Sequence, residues 1–246
     1  MNELWCGFFI TILTGLSPSS LHQKVPNYDI KEMTVPEINY TGETDIKKVP
    51  ELLEAQASLH SIDLINWKEY PYRPEVHFRI GHANEQIWIV FNVREDHVLA
   101  LRTATNSPTH KDSCVEFFID PKQDGNYYNF EFNAIGTTHL GYGPDRGERK
   151  FIDPDKIESL IQTRSSLGSE PFEERNGEQE WQLTVIIPAE IFMHSQPLSL
   201  SGLKARANFY KCGDDTTRPH FLTWNPVGAP RPDYHQPDYF GKLVFE

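Results

Sequence analysis

From residue 76 onward, apolar and polar positions alternate in short runs broken by Gly, Pro, Asp and Asn. A period of two is that of a strand with one buried face, and turn residues between such runs mark an all-β chain. The runs predict strands near 76–81, 87–93, 113–120, 127–135, 179–187, 203–211, 220–224 and 242–245. Helical spacing surfaces twice, at 50–59 (PELLEAQASL, with Pro at its start) and at 155–160, and 188–192 reads as one helical turn after a strand. The fold class that follows is all-β, an antiparallel β-sandwich of jelly-roll-like form with one or two short helices.

Residues 41–246 read as a single sandwich domain, and 1–40 as a leader and arm. Residues 17–45 are rich in Ser, Pro, Asn and Thr, as in an extended connection. Before them, 4–16 (LWCGFFITILTGL) is apolar but too short to cross a bilayer. Its length suits the apolar part of an export signal, although no basic residue precedes it and no A-x-A site follows. Export would put the protein outside the cell, in the periplasm or in the cell envelope; without a signal it is cytoplasmic.

The densest pattern is DSCVEFFIDPKQDGNYYNFEFN at 112–133. Val115, Phe117 and Ile119 form one apolar row, opposite Cys114, Glu116 and Phe118. In the next strand Phe130 and Phe132 face the core, leaving Asn129, Glu131 and Asn133 behind them. If the strands pair, two carboxylates and two amides share one face, and like charges side by side call for a partner. The strand at 203–212 adds to this face: Leu203, Ala205, Ala207 and Phe209 are apolar, and Arg206, Asn208, Tyr210 and Cys212 point the other way. Such a face is either a plain solvent-facing sheet or a ligand site rich in planar hydrogen-bonding groups.

Charge narrows the ligand. The chain has 246 residues and a net charge of −12, which disfavours a nucleic-acid binder and attraction to an anionic membrane. No membrane insertion is expected, and the sequence says nothing about oligomeric state. Aromatic residues make up 12% of the chain, and several tyrosines (Tyr70, Tyr72, Tyr127, Tyr142, Tyr234, Tyr239) fall where loops are expected. They serve either as core and edge packing or as stacking platforms for sugar rings. With three Cys there is no disulfide framework; Cys114 and Cys212 are a possible pair or two small buried hydrophobes.

Catalytic signatures are missing. There is no G-x-S-x-G, no glycine-rich phosphate loop, no H-E-x-x-H and no C-x-x-C. The ten His are scattered, with His220 and His235 nearest the candidate face. Glu116 and Glu131 could form a glycosidase pair if their carboxyl groups stand at a retaining spacing. The turn Asp120, Asp124, Gly125, Asn126 is oxygen-rich but matches no EF-hand loop and reads as a β-turn.

An ordered set of segments resembles the family 9 carbohydrate-binding modules, sandwiches attached to xylanases or standing alone in polysaccharide-degrading bacteria. The segments are IWIVFNV (87–93), DSCVEFFID (112–120), FEFN (130–133), WQLTVIIP (181–188), 205–214, LTWN (222–225) and FGKLVF (240–245). The likeness spans residues 62–246. It implies non-catalytic binding of an oligo- or polysaccharide, with Glu116 and Asn133 on a terminal sugar and Glu131 at a position that is basic in other binders. Family binders hold the sugar between two Trp rings; the later one falls near Tyr234, and the earlier one near Thr109, which is not aromatic. Tyr127, Tyr128 and His110 are the possible substitutes. The expected site is therefore Glu116, Glu131 and Asn133, completed by Arg206, Asn208 and Tyr210, with Tyr234 as the wall. No cofactor is required, and the resemblance implies a structural calcium. The alternatives are a small glycoside hydrolase using Glu116 and Glu131, or a haem- or metal-holding sandwich, for which Met33 and Met193 are the available thioethers.

Overall fold

The computed structural model describes residues 29–246; the apolar leader at 4–16 and Cys6 lie outside the described residues. In chain order the first strands are β1 (Glu32–Val35), β2 (His60–Ser61), β3 (Leu64–Ile65), β4 (Glu75–Ala83), β5 (Gln86–Ala100), β6 (Cys114–Asp120) and β7 (Tyr127–Asn133). They continue as β8 (Thr138–Gly143), β9 (Lys150–Phe151), β10 (Gln162–Ser165), β11 (Phe172–Pro188), β12 (Lys204–Cys212), β13 (Phe221–Thr223) and β14 (Gly241–Phe245). Among the described residues, two helices, α1 (Val49–Gln56) and α2 (Pro154–Leu160), complete the order, with 3₁₀ turns at Thr109–Lys111, Ala189–Ile191 and Pro237–Tyr239. Among the described residues, no helix is long and apolar enough to cross a membrane.

The strands form two packed sheets. One runs β1-β14-β12-β6-β7-β8-β9, with β13 joined to β12 and β3 to β13; the other runs β10-β11-β5-β4-β2. β1 lies parallel to β14. The site-bearing strands β12, β6, β7 and β8 are antiparallel neighbours. β1 falls inside the segment read as an arm. Its pattern is a clear alternation, with Met33 and Val35 buried, but four residues in a polar context are too short to stand out. The sandwich thus begins before residue 41.

Alternation sets the interior. Val115, Phe117 and Ile119 of β6, Phe130 and Phe132 of β7, and Ala205, Ala207 and Phe209 of β12 all lie in one buried cluster with Phe78, Ile80, Ile89 and Phe91 of the facing sheet. Phe78 stacks on Phe209 across the sandwich, with ring centroids 4.0 Å apart. Each such buried ring contributes roughly 1.5–3 kcal/mol. β5 begins as a nearly unbroken apolar run because both its faces are covered. Ile87, Ile89 and Phe91 enter the core, while Trp88 and Val90 pack with Val49 and Leu53 of α1.

The core also contains ions. Lys211, next in the apolar row of β12, lies 2.8 Å from Glu95 of β5, and both side chains are fully buried. The Lys211 ammonium also donates to the Cys212 carbonyl at 3.0 Å and to His220 Nε2 at 2.7 Å. Burial and the nearby Lys211 charge hold His220 well below its usual pKa. Neutral His220 accepts from Lys211, while its Nδ1 bonds the Arg218 carbonyl at 2.9 Å. His220 is thus a core group, separate from the cavity described below.

Candidate functional site

The polar face predicted from the alternation exists, and strand register arranges it in rows. Glu116 stands opposite Glu131 on β7 and opposite Tyr210 on β12, and Glu131 stands opposite His139 on β8. One row over, Cys114 faces Cys212 on one side and Asn133 on the other. This face is not open. Trp67, Val227, Tyr234 and Phe240 roof it, packing with Cys114, Phe118, Tyr127, Tyr210 and Cys212 in a second buried cluster.

The roof redistributes the expected ligand groups. Asn133 donates to the Arg102 carbonyl and the Asp112 carboxylate and accepts from Thr137 N–H. Arg206 is bound by the carbonyls of Phe240 and Gly241. Asn208 braces Asn225 through both of its backbone groups. The Tyr210 hydroxyl donates to the Tyr234 carbonyl, and the two rings stack 4.0 Å apart. All four therefore act within the protein, and the expectation that they floor a ligand site changes accordingly. Alternation fixed the face, but only the loop path through 213–240 decides what remains open.

What remains open is a cavity of about 60 Å³ against Glu116, Glu131 and Tyr234, together with His110, Arg146, Cys212, Asp214, Asp233 and His235. Tyr234 is 6% exposed. One face of its ring is covered by Tyr210, and its hydroxyl is tied to the Lys211 carbonyl. Tyr127 and Tyr128 are sealed within strand β7, and Thr109 is buried beside Glu131. Of the possible substitutes for the earlier ring, His110 is the one that lines the cavity.

The two carboxylates have opposite surroundings. Burial raises the pKa of Glu131, but the His110 hydrogen bond and the charges of His139, His110 and Arg149 outweigh it and pull the value to about 2. Asn129 also donates to it at 2.9 Å. Glu116 is held well above the usual carboxylate range, by burial first and by the adjacent Glu131 charge second. Its one hydrogen-bond donor among the described residues is the Cys212 thiol at 3.1 Å. Glu131 is thus held in its ionised form, whereas the ionised form of Glu116 is disfavoured. Asp214 is pushed up to about 6, chiefly by burial. His235 is lowered to about 3 by burial and by the charges of Arg149 and Arg146. Arg149 donates to His235 Nε2 at 2.6 Å, and Nδ1 bonds the Tyr127 hydroxyl at 2.7 Å. At the rim, Arg146 and Asp233 form a partly exposed ion pair at 3.1 Å, tying loop 144–149 to loop 230–236.

In the acidic turn the carboxylates bond the loop's own backbone. Asp120 accepts the backbone N–H groups of Asp124 and Gly125, and Asp124 accepts from Asn126, so these carboxylates close the turn itself. For the haem alternative, Met33 is packed into the core and Met193 lies on the surface.

A two-sheet sandwich that shelters a small polar cavity above one face has the architecture of a ligand-binding module. The family model for carbohydrate-binding family 9 matches residues 47–245, and the chain belongs to that family. A protein from Bacteroides uniformis ATCC 8492, named as a candidate carbohydrate-binding protein, is 39% identical over 88% of this chain and 100% of its own, with a TM-score of 0.85. A family 9 carbohydrate-binding module from Caldicellulosiruptor kristjanssonii, solved with glucose, shares the fold at 12% identity, covering 88% of this chain and 96% of its own, with a TM-score of 0.53. No curated protein matches the chain.

Proposed function

We propose that this protein binds carbohydrate without transforming it, taking the end of a glycan at the cavity over Glu116 and Glu131. Family membership supports the ligand class. The observation that carries the location is the row of buried acids reached through a polar rim of His110, Asp214, Arg146 and Asp233. Ionised Glu131 accepts from sugar hydroxyls, Glu116 adds a carboxyl group beside it, and His110 adds a donor. About 60 Å³ holds a handful of waters. It therefore suits exocyclic hydroxyls of one terminal residue, with the ring resting at the rim. Polysaccharide breakdown outside the cell is the setting we infer, from the apolar leader and the resemblance to xylanase-linked modules.

Titration calorimetry of the folded protein against mono-, di- and oligosaccharides tests this reading. His110→Ala and Glu131→Gln each remove a charge-assisted hydrogen bond worth about 1.5–3 kcal/mol, so each weakens binding roughly tenfold or more. Absence of heat with every glycan would overturn the proposal. One observation favours a second reading: neighbouring carboxyls with divergent pKa values are the pattern of an acid and a nucleophile. Release of reducing sugar, lost in Glu116→Gln, would select the hydrolase.

A further inference from the structure

Cys114 and Glu116 are two apart on β6 and so share a face, and Cys212 on β12 is the register partner of Cys114. Among the described residues, these three alone form a group of His, Cys, Asp or Glu whose ligand atoms all lie within 4.8 Å of one another. All three are buried, and both cysteines are free thiols. The geometry points to a thiophilic metal site, in which Cys114 Sγ, Cys212 Sγ and a Glu116 carboxylate oxygen bind a single zinc ion.

Three observations carry it. The first is spacing. A tetrahedral ion with Zn–S bonds of about 2.3 Å holds its sulfurs roughly 3.8 Å apart, which the 4.8 Å limit of the cluster admits. The second is the uncompensated acid. Glu131 has His110, His139 and Asn129 beside it, whereas buried Glu116 has one weak thiol donor and no ion-pair partner among the described residues. A carboxylate in that position is costly without a cation, and a zinc ion supplies one. The third is access. Glu116 and Cys212 both line the 60 Å³ cavity, so an ion enters from the rim and keeps an open fourth position facing it. Three protein ligands with one open position are the arrangement that leaves room for water or an incoming hydroxyl. The donor set excludes calcium, which prefers six or more oxygens. On binding, both thiols and the Glu116 carboxyl yield their protons to solvent as the sulfurs and the carboxylate oxygen take the metal, with no change of oxidation state.

The site does not depend on carbohydrate binding, and its test uses no sugar. The full chain, purified under reducing conditions without chelator, is measured for metal by elemental analysis. It is then stripped with EDTA, freed of EDTA and titrated with cobalt(II) and zinc(II). The expected result is one zinc per chain, and a thiolate-to-cobalt charge-transfer band that saturates at one equivalent and is displaced by zinc. Cys212→Ser abolishes the band, and Glu116→Gln keeps a sulfur-based band but weakens affinity roughly tenfold or more. No retained zinc together with no cobalt band in the wild-type chain would overturn the site, whether or not the variants fold. So would an intact mass two hydrogens lighter under non-reducing handling with no uptake after reduction, which would make the pair a disulfide. A band unchanged in folded Cys212→Ser would do the same.

Discussion

Replacing Lys211 by Met leaves Glu95 buried without its cation, and the size of the effect follows from the geometry. The ammonium and carboxylate are 2.8 Å apart with both side chains fully buried. At an effective dielectric of about 20 that separation corresponds to an attraction of about 6 kcal/mol. Desolvation offsets much of it in the intact protein, but the single variant keeps the desolvated acid and loses the attraction. The expected destabilisation is about 3–5 kcal/mol, a large share of the 5–15 kcal/mol typical of a folded domain. With a urea m-value of about 3 kcal/mol per M, the midpoint falls by roughly 1–1.7 M. The melting temperature drops by roughly 6–20 °C. The double variant Lys211→Met with Glu95→Gln removes both charges and keeps an acceptor for Trp181, whose indole N–H donates to Glu95 at 2.8 Å. It should recover at least about 2 kcal/mol relative to the single change. Single-variant losses under about 1 kcal/mol, or strictly additive effects, would mean that Lys211 and Glu95 are not energetically coupled.

Three further outcomes are expected. Below pH 6.5 the unfolded chain protonates His235, while the folded protein refuses that proton until about pH 3; stability is lost on acidification through that window. His235→Gln therefore flattens stability against pH by about 1.4 kcal/mol per unit between those limits, as urea titrations at several pH values would reveal. A Cβ on Gly143 meets the backbone of Arg149 at 2.5 Å, so Gly143→Ala displaces the rim loop and costs about 1–3 kcal/mol in chemical denaturation. Arg146→Ala opens the rim pair at a stability cost below about 1 kcal/mol; stopped-flow binding should show faster association with sugar, and a slower rate would contradict the rim assignment.

The sequence carried the sandwich well where one strand face is wet or one row is wholly apolar. β6, β7 and β12 were legible within a residue or two because their apolar rows are regular. β5 and β11 extend past the expected 87–93 and 179–187 to Gln86–Ala100 and Phe172–Pro188. In those extensions Glu95, Arg94 and Glu173 interrupt the apolar pattern while the backbone ladder continues, in β11 through register shifts. Tyr127 and Tyr142 sit in β7 and β8, although aromatic residues beside Gly and Asn read as loop. At the site, the pairing of Glu116 with Glu131 was visible from alternation alone. The roles of Asn133, Arg206, Asn208 and Tyr210 were not, because their partners are backbone groups of distant loops. His110, Asp214 and Asp233 carried no periodic signal; the cue available was their place in loops flanking the polar strands.

A crystal structure of the protein soaked with a cello-oligosaccharide shows where the sugar sits. A terminal residue is expected at the rim, its hydroxyls directed at Glu131, Glu116 and His110 between Arg146 and Asp233. Saccharide lodged instead in the broader groove on the opposite sheet, against His77, Asn92, Arg94 and Gln182, with the Glu116 cavity holding only water, would contradict it.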